Sequence, residues 1–177
     1  MKITVFLFLL LGIAVLAYSA APVEVDPNQQ AAFSSDNATL EANKKLVSEY
    51  WRTVFMARRV DQAPRFLTED FQDHAPTMPG QGLGGFMQYF AKWGEKPLPT
   101  IPNEIKGFVS IVAEGDLVVL ATLQNVKDSE GKLYTTTWFD MFRIKDGKVS
   151  EHWDNQRFPN STVILGFDNN GAVPVPE

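Results

Sequence analysis

Two histidines and one carboxylate in aromatic company are the residues of this chain best suited to moving protons. Near the C-terminal end the sequence reads Trp138-Phe139-Asp140-Met141-Phe142-Arg143, then Asp146-Gly147, then Glu151-His152-Trp153-Asp154-Asn155. Asp-Gly between runs of β-branched and aromatic residues predicts a two-residue hairpin turn. With Asp146 opposite Gly147, Asp140 stands opposite Trp153. Alternation along the strands then gives Asp140 the same sheet face as Trp138, Phe142, Val149, Glu151, Trp153 and Asn155. A carboxyl group walled by Trp and Phe loses hydration, which disfavours its charged form and suits it to general acid or base work near neutrality. The alternative is that Asp140 accepts hydrogen bonds from a Trp N–H or a backbone group and only fastens the sheet.

The same alternation puts Phe139, Met141, Arg143, Ser150, His152 and Asp154 on the opposite face. An Asp140–His152 pair is therefore not expected unless a bulge or a longer turn shifts the parity. His152 reads as structural, paired with Asp154 or with a Glu at a subunit contact. The other histidine, His74, lies in Phe71-Gln72-Asp73-His74-Ala75-Pro76, an extended connection of the kind that lines cavity mouths. It is a candidate proton acceptor or hydrogen-bond donor to a bound carbonyl, or an idle loop histidine.

Several other chemistries lack their residues. No Cys occurs, so thiol nucleophiles, thiolate metal sites and disulfides are excluded. Two histidines on separate segments make no recognisable metal spacing, and no metal or cofactor is expected. Gly80-Gln81-Gly82-Leu83-Gly84-Gly85 matches G-x-G-x-x-G, but it follows Pro79 rather than a strand and reads as a turn and helix start. No G-x-S-x-G elbow is present. The formal charge is −5, with no basic cluster, which argues against nucleic acid and anionic lipid. A small neutral or cationic molecule is the better partner.

The elements that position these residues form two blocks. Residues 1–19 carry Lys2, an apolar run from Ile3 to Tyr18, and small residues at Ala17 and Ser19. They read as a signal peptide cleaved after Ser19, so the protein is expected to be secreted and free of the membrane afterwards. Residues 20–37 lack apolar period and read as a flexible linker. A domain over 38–158 follows, then a C-terminal tail, 159–177. Within the domain, Leu46, Val47, Tyr50, Trp51, Val54 and Phe55 recur at helical spacing and predict a helix over 39–58. Shorter helices are predicted over 61–67 and 83–93. Beyond the Pro-rich stretch 96–102 the period changes to strands, over 104–113, 117–126, 133–144 and 149–158. Helices followed by a four-strand antiparallel meander define an α+β fold with a cavity between the layers.

Phe139-Asp140-Met141-Phe142-Arg143, Asp146-Gly147-Lys148-Val149 and Glu151-His152-Trp153-Asp154 together resemble the closing hairpin of SnoaL-like proteins, within the NTF2-like superfamily. His74-Ala75-Pro76 resembles that family's His-x-Pro segment, and the resemblance runs from about Leu46 to Gln156. It implies a cone-shaped fold with a deep pocket between helices and a curved antiparallel sheet. In this superfamily such a pocket serves aldol-type polyketide cyclases, ketosteroid isomerase relatives, dehydratases and non-catalytic binders. The strand carboxylate that acts on a carbon acid in the cyclases matches Asp140, and the His74 region supplies an acid or base in many members. A histidine often found in the strand reading Leu117-Val118-Val119-Leu120-Ala121-Thr122 has no counterpart here.

The leading expectation is a secreted, cofactor-independent enzyme of cyclase, isomerase or dehydratase type acting on a small lipophilic carbonyl compound. Asp140 and His74 are its catalytic candidates, Trp138, Phe142 and Trp153 its apolar wall, and Asn155 a residue that orients the ligand. The alternatives are a secreted binder of a small hydrophobic ligand and a homodimeric module that pairs through the outer sheet face.

Overall fold

The computed structural model describes residues 21–76, 78, 81–127, 131 and 133–155. The expected leader, the 129–131 turn at Ser129 and Glu130, the strand end 156–158 and the C-terminal tail lie outside the described residues.

Helix α1, Gln29–Phe33, and helix α2, Ala38–Tyr50, open the fold. Asn37 caps α2, its side chain accepting from the N–H groups of Thr39 and Leu40, two donors that the first helical turn leaves without a partner. The chain then continues as a π-helical turn, Trp51–Met56, closed by an Ala57 N–H to Arg52 carbonyl bond of 2.9 Å. A 3-10 turn, Val60–Arg65, leads into strand β1, Leu67–Asp73. Helix α3, Gly82–Gly94, precedes strands β2 (Phe108–Glu114), β3 (Leu117–Lys127), β4 (Leu133–Lys145) and β5 (Lys148–Asp154). The α+β class is as expected, but the helices do not all precede the strands, because β1 comes before α3.

Three differences bear on function. The segment expected as a linker is packed from its first described residues. Val23 N–H donates to Thr135 Oγ1, Asp26 N–H to the Phe108 carbonyl, and Gln29 exchanges two bonds with the Ile105 backbone. Phe33 enters the core, and Lys44 reaches back to the Ala32 and Ser34 carbonyls at the end of α1. One aromatic and a few specific hydrogen bonds order a stretch with no periodicity to read. Second, the sheet has five strands in the order β1-β5-β4-β3-β2, and β1 joins β5 in parallel, with Asp73 beside His152. Third, β2 begins at Phe108 rather than at Glu104, because Gly107 takes φ +72° and a Cβ there would lie 3.4 Å from the Leu123 carbonyl.

The helical layer covers one sheet face. Val47, Tyr50 and Val54 from the first long helix and its π turn, with Phe86 of α3, meet Phe71, Phe108, Leu120, Phe142 and Val149 from the strands, all essentially buried. The aromatic contacts are largely edge to face, as between Tyr50 and Phe142 or Phe71 and Phe86.

Candidate functional site

The β4–β5 hairpin turns at Asp146-Gly147 as expected, and its first rungs, Lys145 with Lys148 and Ile144 with Val149, keep the simple register. A bulge follows. Arg143 pairs with Glu151, Phe142 with His152 and Asp140 with Asp154, so Ser150 is the extra residue. One added residue turns every later side chain of β5 to the other face. His152 and Asp154 thus join Trp138, Asp140 and Phe142 beneath the helices, while Glu151 and Trp153 go outside. The expected opposition of Asp140 and Trp153 is corrected to Asp140 and Asp154, and the pair that strict alternation excluded is formed.

His152 lies between two buried carboxylates. Its Nε2 is 3.2 Å from Asp140 Oδ1 and its Nδ1 is 3.1 Å from Asp73 Oδ2. The imidazole stacks on the Phe142 ring at 5.0 Å. Asp73 is fixed at the end of β1: its Oδ1 accepts from Ala75 N–H, and its backbone exchanges two bonds with the Gln81 side chain. Two ionised carboxylates can only accept hydrogen bonds, so opposite them both ring nitrogens donate and His152 takes the imidazolium form. Burial alone pulls its pKa down, but the hydrogen bonds and charges of Asp140 and Asp73 outweigh burial and raise it from 6.5 to about 9.

Asp140 is 2 % exposed. Burial raises its pKa above the usual carboxylate range, the His152 hydrogen bond and charge oppose that rise, Asp154 adds to it and the Trp138 indole lowers it. Its Oδ2 is buried and makes no hydrogen bond of normal geometry, although the Trp138 indole N–H lies near enough to the carboxyl to favour its charged form. Such an acceptor is costly to leave unpaired and is the feature of this cluster that most needs an explanation. Beneath it, burial and the charges of Asp73 and Asp140 push the Tyr50 phenol well above its ordinary 10, so it stays neutral.

These groups floor a cavity of about 200 Å³. Asp73, Asp140, His152 and Asp154 supply its polar side. Trp51 and Phe55 from the π turn, Tyr89 and Phe90 from α3, and Trp138 from β4 form an aromatic wall. π turns are frequent at functional sites. A larger, open depression of about 1110 Å³ lies between Val25–Gln29 and residues 98–108. It holds no histidine and no carboxylate cluster, so the smaller cavity is the candidate site.

The remaining expected site residues divide. Trp138 lines the cavity, while Phe142 lies under His152 as core. His74, expected at the cavity mouth, is on the outer face, stacked on Trp153 at 4.6 Å and 3.1 Å from Glu151 Oε2. Trp153 is likewise outside, with the Arg143 guanidinium over its ring. Asn155 is exposed, and its Oδ1 accepts from Phe139 N–H at 3.5 Å. The bulge removes Trp153 and Asn155 from the site, and His74 follows β1 alternation, one residue beyond inward Asp73. Asp73, His152, Asp154 and the aromatic helix residues were not expected there. Phe71 carried a signal for the first, since an inward Phe71 makes Asp73 inward and His74 outward.

Asp140, His152 and Asp154 bring potential ligand atoms within 4.8 Å of one another. They fit a metal poorly, because both His152 nitrogens already face carboxylate oxygens and Nε2 would have to leave Asp140.

An α+β domain with an acid/base cluster at the floor of an aromatic-walled cavity is the class that fold and site define. The SnoaL-like domain profile matches residues 47–152, and the chain belongs to that family. Solved structures with similar folds include TsrD from Streptomyces laurentii, 17 % identical over 69 % of this chain and 90 % of that one, with a TM-score of 0.45. A candidate polyketide cyclase from Acidithiobacillus ferrooxidans is 16 % identical over 68 % and 89 %, TM-score 0.48. An NTF2-like protein of unknown function from Burkholderia pseudomallei is 16 % identical over 66 % and 91 %, TM-score 0.46. No curated protein matches the sequence.

Proposed function

We propose that this is an exported, cofactor-independent acid/base enzyme that abstracts a proton next to the carbonyl of a small lipophilic compound. The observation that carries the reading is the orphaned Oδ2 of Asp140, a buried acceptor on a residue that lines the cavity, in a carboxylate braced at its other oxygen by an imidazolium.

In this reading Asp140 Oδ2 takes the proton from the carbon acid. Asp140 becomes neutral, and the electron pair passes to the carbonyl oxygen as an enolate. The negative charge stays in the cavity near His152, whose own charge Asp73 continues to balance. Return of the proton to another carbon gives an isomerase. Attack of the enolate on a second carbonyl, with the new alkoxide taking the proton back from Asp140, gives an aldol cyclisation, and loss of a β-hydroxyl as water, protonated by Asp140, gives a dehydratase. The aromatic wall would equally serve a binder without chemistry, and Asp140 separates the two readings.

The test is hydrogen–deuterium exchange at the α-carbon of a panel of small ketones in D2O, followed by NMR. Asp140→Asn should slow enzyme-dependent exchange by about 100-fold or more. Enzyme-dependent exchange that proceeds unchanged in the variant would remove Asp140 as the base, and ligands that bind without exchanging would leave the binder reading in its place.

A further inference from the structure

The charge of the cavity and the chemistry of its wall do not match the neutral ligand that a hydrophobic pocket alone would suggest. Three carboxyl groups, Asp73, Asp140 and Asp154, share its floor with one imidazole, so acidic groups outnumber the single basic one. Among the described residues no lysine or arginine lines it. The orphaned Asp140 Oδ2 lies on a side chain 97 % buried, where an unpaired acceptor is costly. The rest of the lining includes Trp51, Phe55 and Phe90 from the helical layer and Trp138, two residues from Asp140 on the same strand, aromatic rings whose faces carry the negative end of the quadrupole. An acidic floor and an aromatic wall attract the same kind of ligand. The volume, about 200 Å³, is below the roughly 300–1,000 Å³ that holds drug-sized molecules, so the occupant is compact.

We propose that the cavity selects a compact organic cation, a methylated or otherwise alkyl-substituted ammonium whose apolar shell meets the aromatic wall while its charge meets the acidic floor. The inference rests on the reading that this cavity is the ligand site, and it narrows the substrate of the proposed reaction to a carbonyl compound bearing a cationic nitrogen. Such a charge beside the carbonyl also acidifies the neighbouring C–H and so assists Asp140.

Choline and its neutral isostere 3,3-dimethyl-1-butanol separate charge from shape. Each is titrated into the purified protein while its tryptophan fluorescence, to which the cavity residues Trp51 and Trp138 contribute, is followed. Choline should bind at least about tenfold more tightly than the alcohol. In Asp140→Asn and Asp154→Asn the preference, read as the ratio of the two affinities in each variant, should shrink to about threefold or less. Equal or tighter binding of the alcohol to the wild-type protein overturns the cation inference and leaves the cavity as a ligand site. A preference undiminished in both variants also overturns it, because the cation then binds elsewhere. If neither compound binds, the cation inference falls, and the reading it rests on is decided by the ketone-exchange test alone.

Discussion

His152 is an imidazolium because two carboxylates meet its two nitrogens, and that arrangement makes stability depend on pH. Its pKa is about 9 in the folded protein against 6.5 in an unfolded chain. A raised histidine value means the contribution is fully present below pH 6.5 and is lost as pH rises through about 9, by roughly 3 kcal/mol in all. Asp140 is shifted upward as well, so its contribution also falls with rising pH, but from just above 3.8, on the acid side. The urea midpoint should therefore drop between pH 6 and pH 9.5, and His152→Gln should flatten that drop. Equal midpoints for the wild-type protein at both values would mean that His152 is not held between charged partners. Asp140 was legible as a titratable residue among large aromatics. Its partner was not, because histidine on a strand gives no sign of its face once a bulge intervenes.

At the scale of elements, the least legible piece of the chain is one of the most consequential. Helix α1 has five residues and no amphipathic period, yet Phe33 packs edge to face on Phe108 at 5.9 Å and is 6 % exposed. Phe33→Ala should cost about 3–5 kcal/mol in denaturant unfolding, the usual loss for a buried phenylalanine. A change below about 0.5 kcal/mol would return the segment to the status of a linker. The long helix, the 82–94 helix and the four consecutive antiparallel strands were readable because apolar period and turn residues agree there. Strand β1 was partly hidden, since three polar residues, half-buried Thr68 and exposed Glu69 and Asp70, lie between Leu67 and Phe71 and break the apolar signal. The Ser150 bulge left no mark at all: Ser150 is a small residue in an otherwise ordinary strand, and the turn before it has the expected form. One residue of register decided which of Trp153 and His152 belongs to the site.

For the whole molecule, sequence and structure support different halves of the account. The family and the α+β architecture follow from the profile match and from the packing of helices on the sheet. Export rests on the leader-like residues 1–19, and intact mass measurement of protein recovered outside the cytoplasm should give a chain that begins at Ala20. A retained Met1 would make those residues an anchor. The acid/base reading depends on the Asp73–His152–Asp140 array being charged as its hydrogen bonds require. The most direct test is 15N NMR of His152 from pH 5 to pH 10: both ring nitrogens should stay protonated until about pH 9. A neutral imidazole at pH 7, with titration at or below 6.5, would contradict the array and with it the proposed role of Asp140.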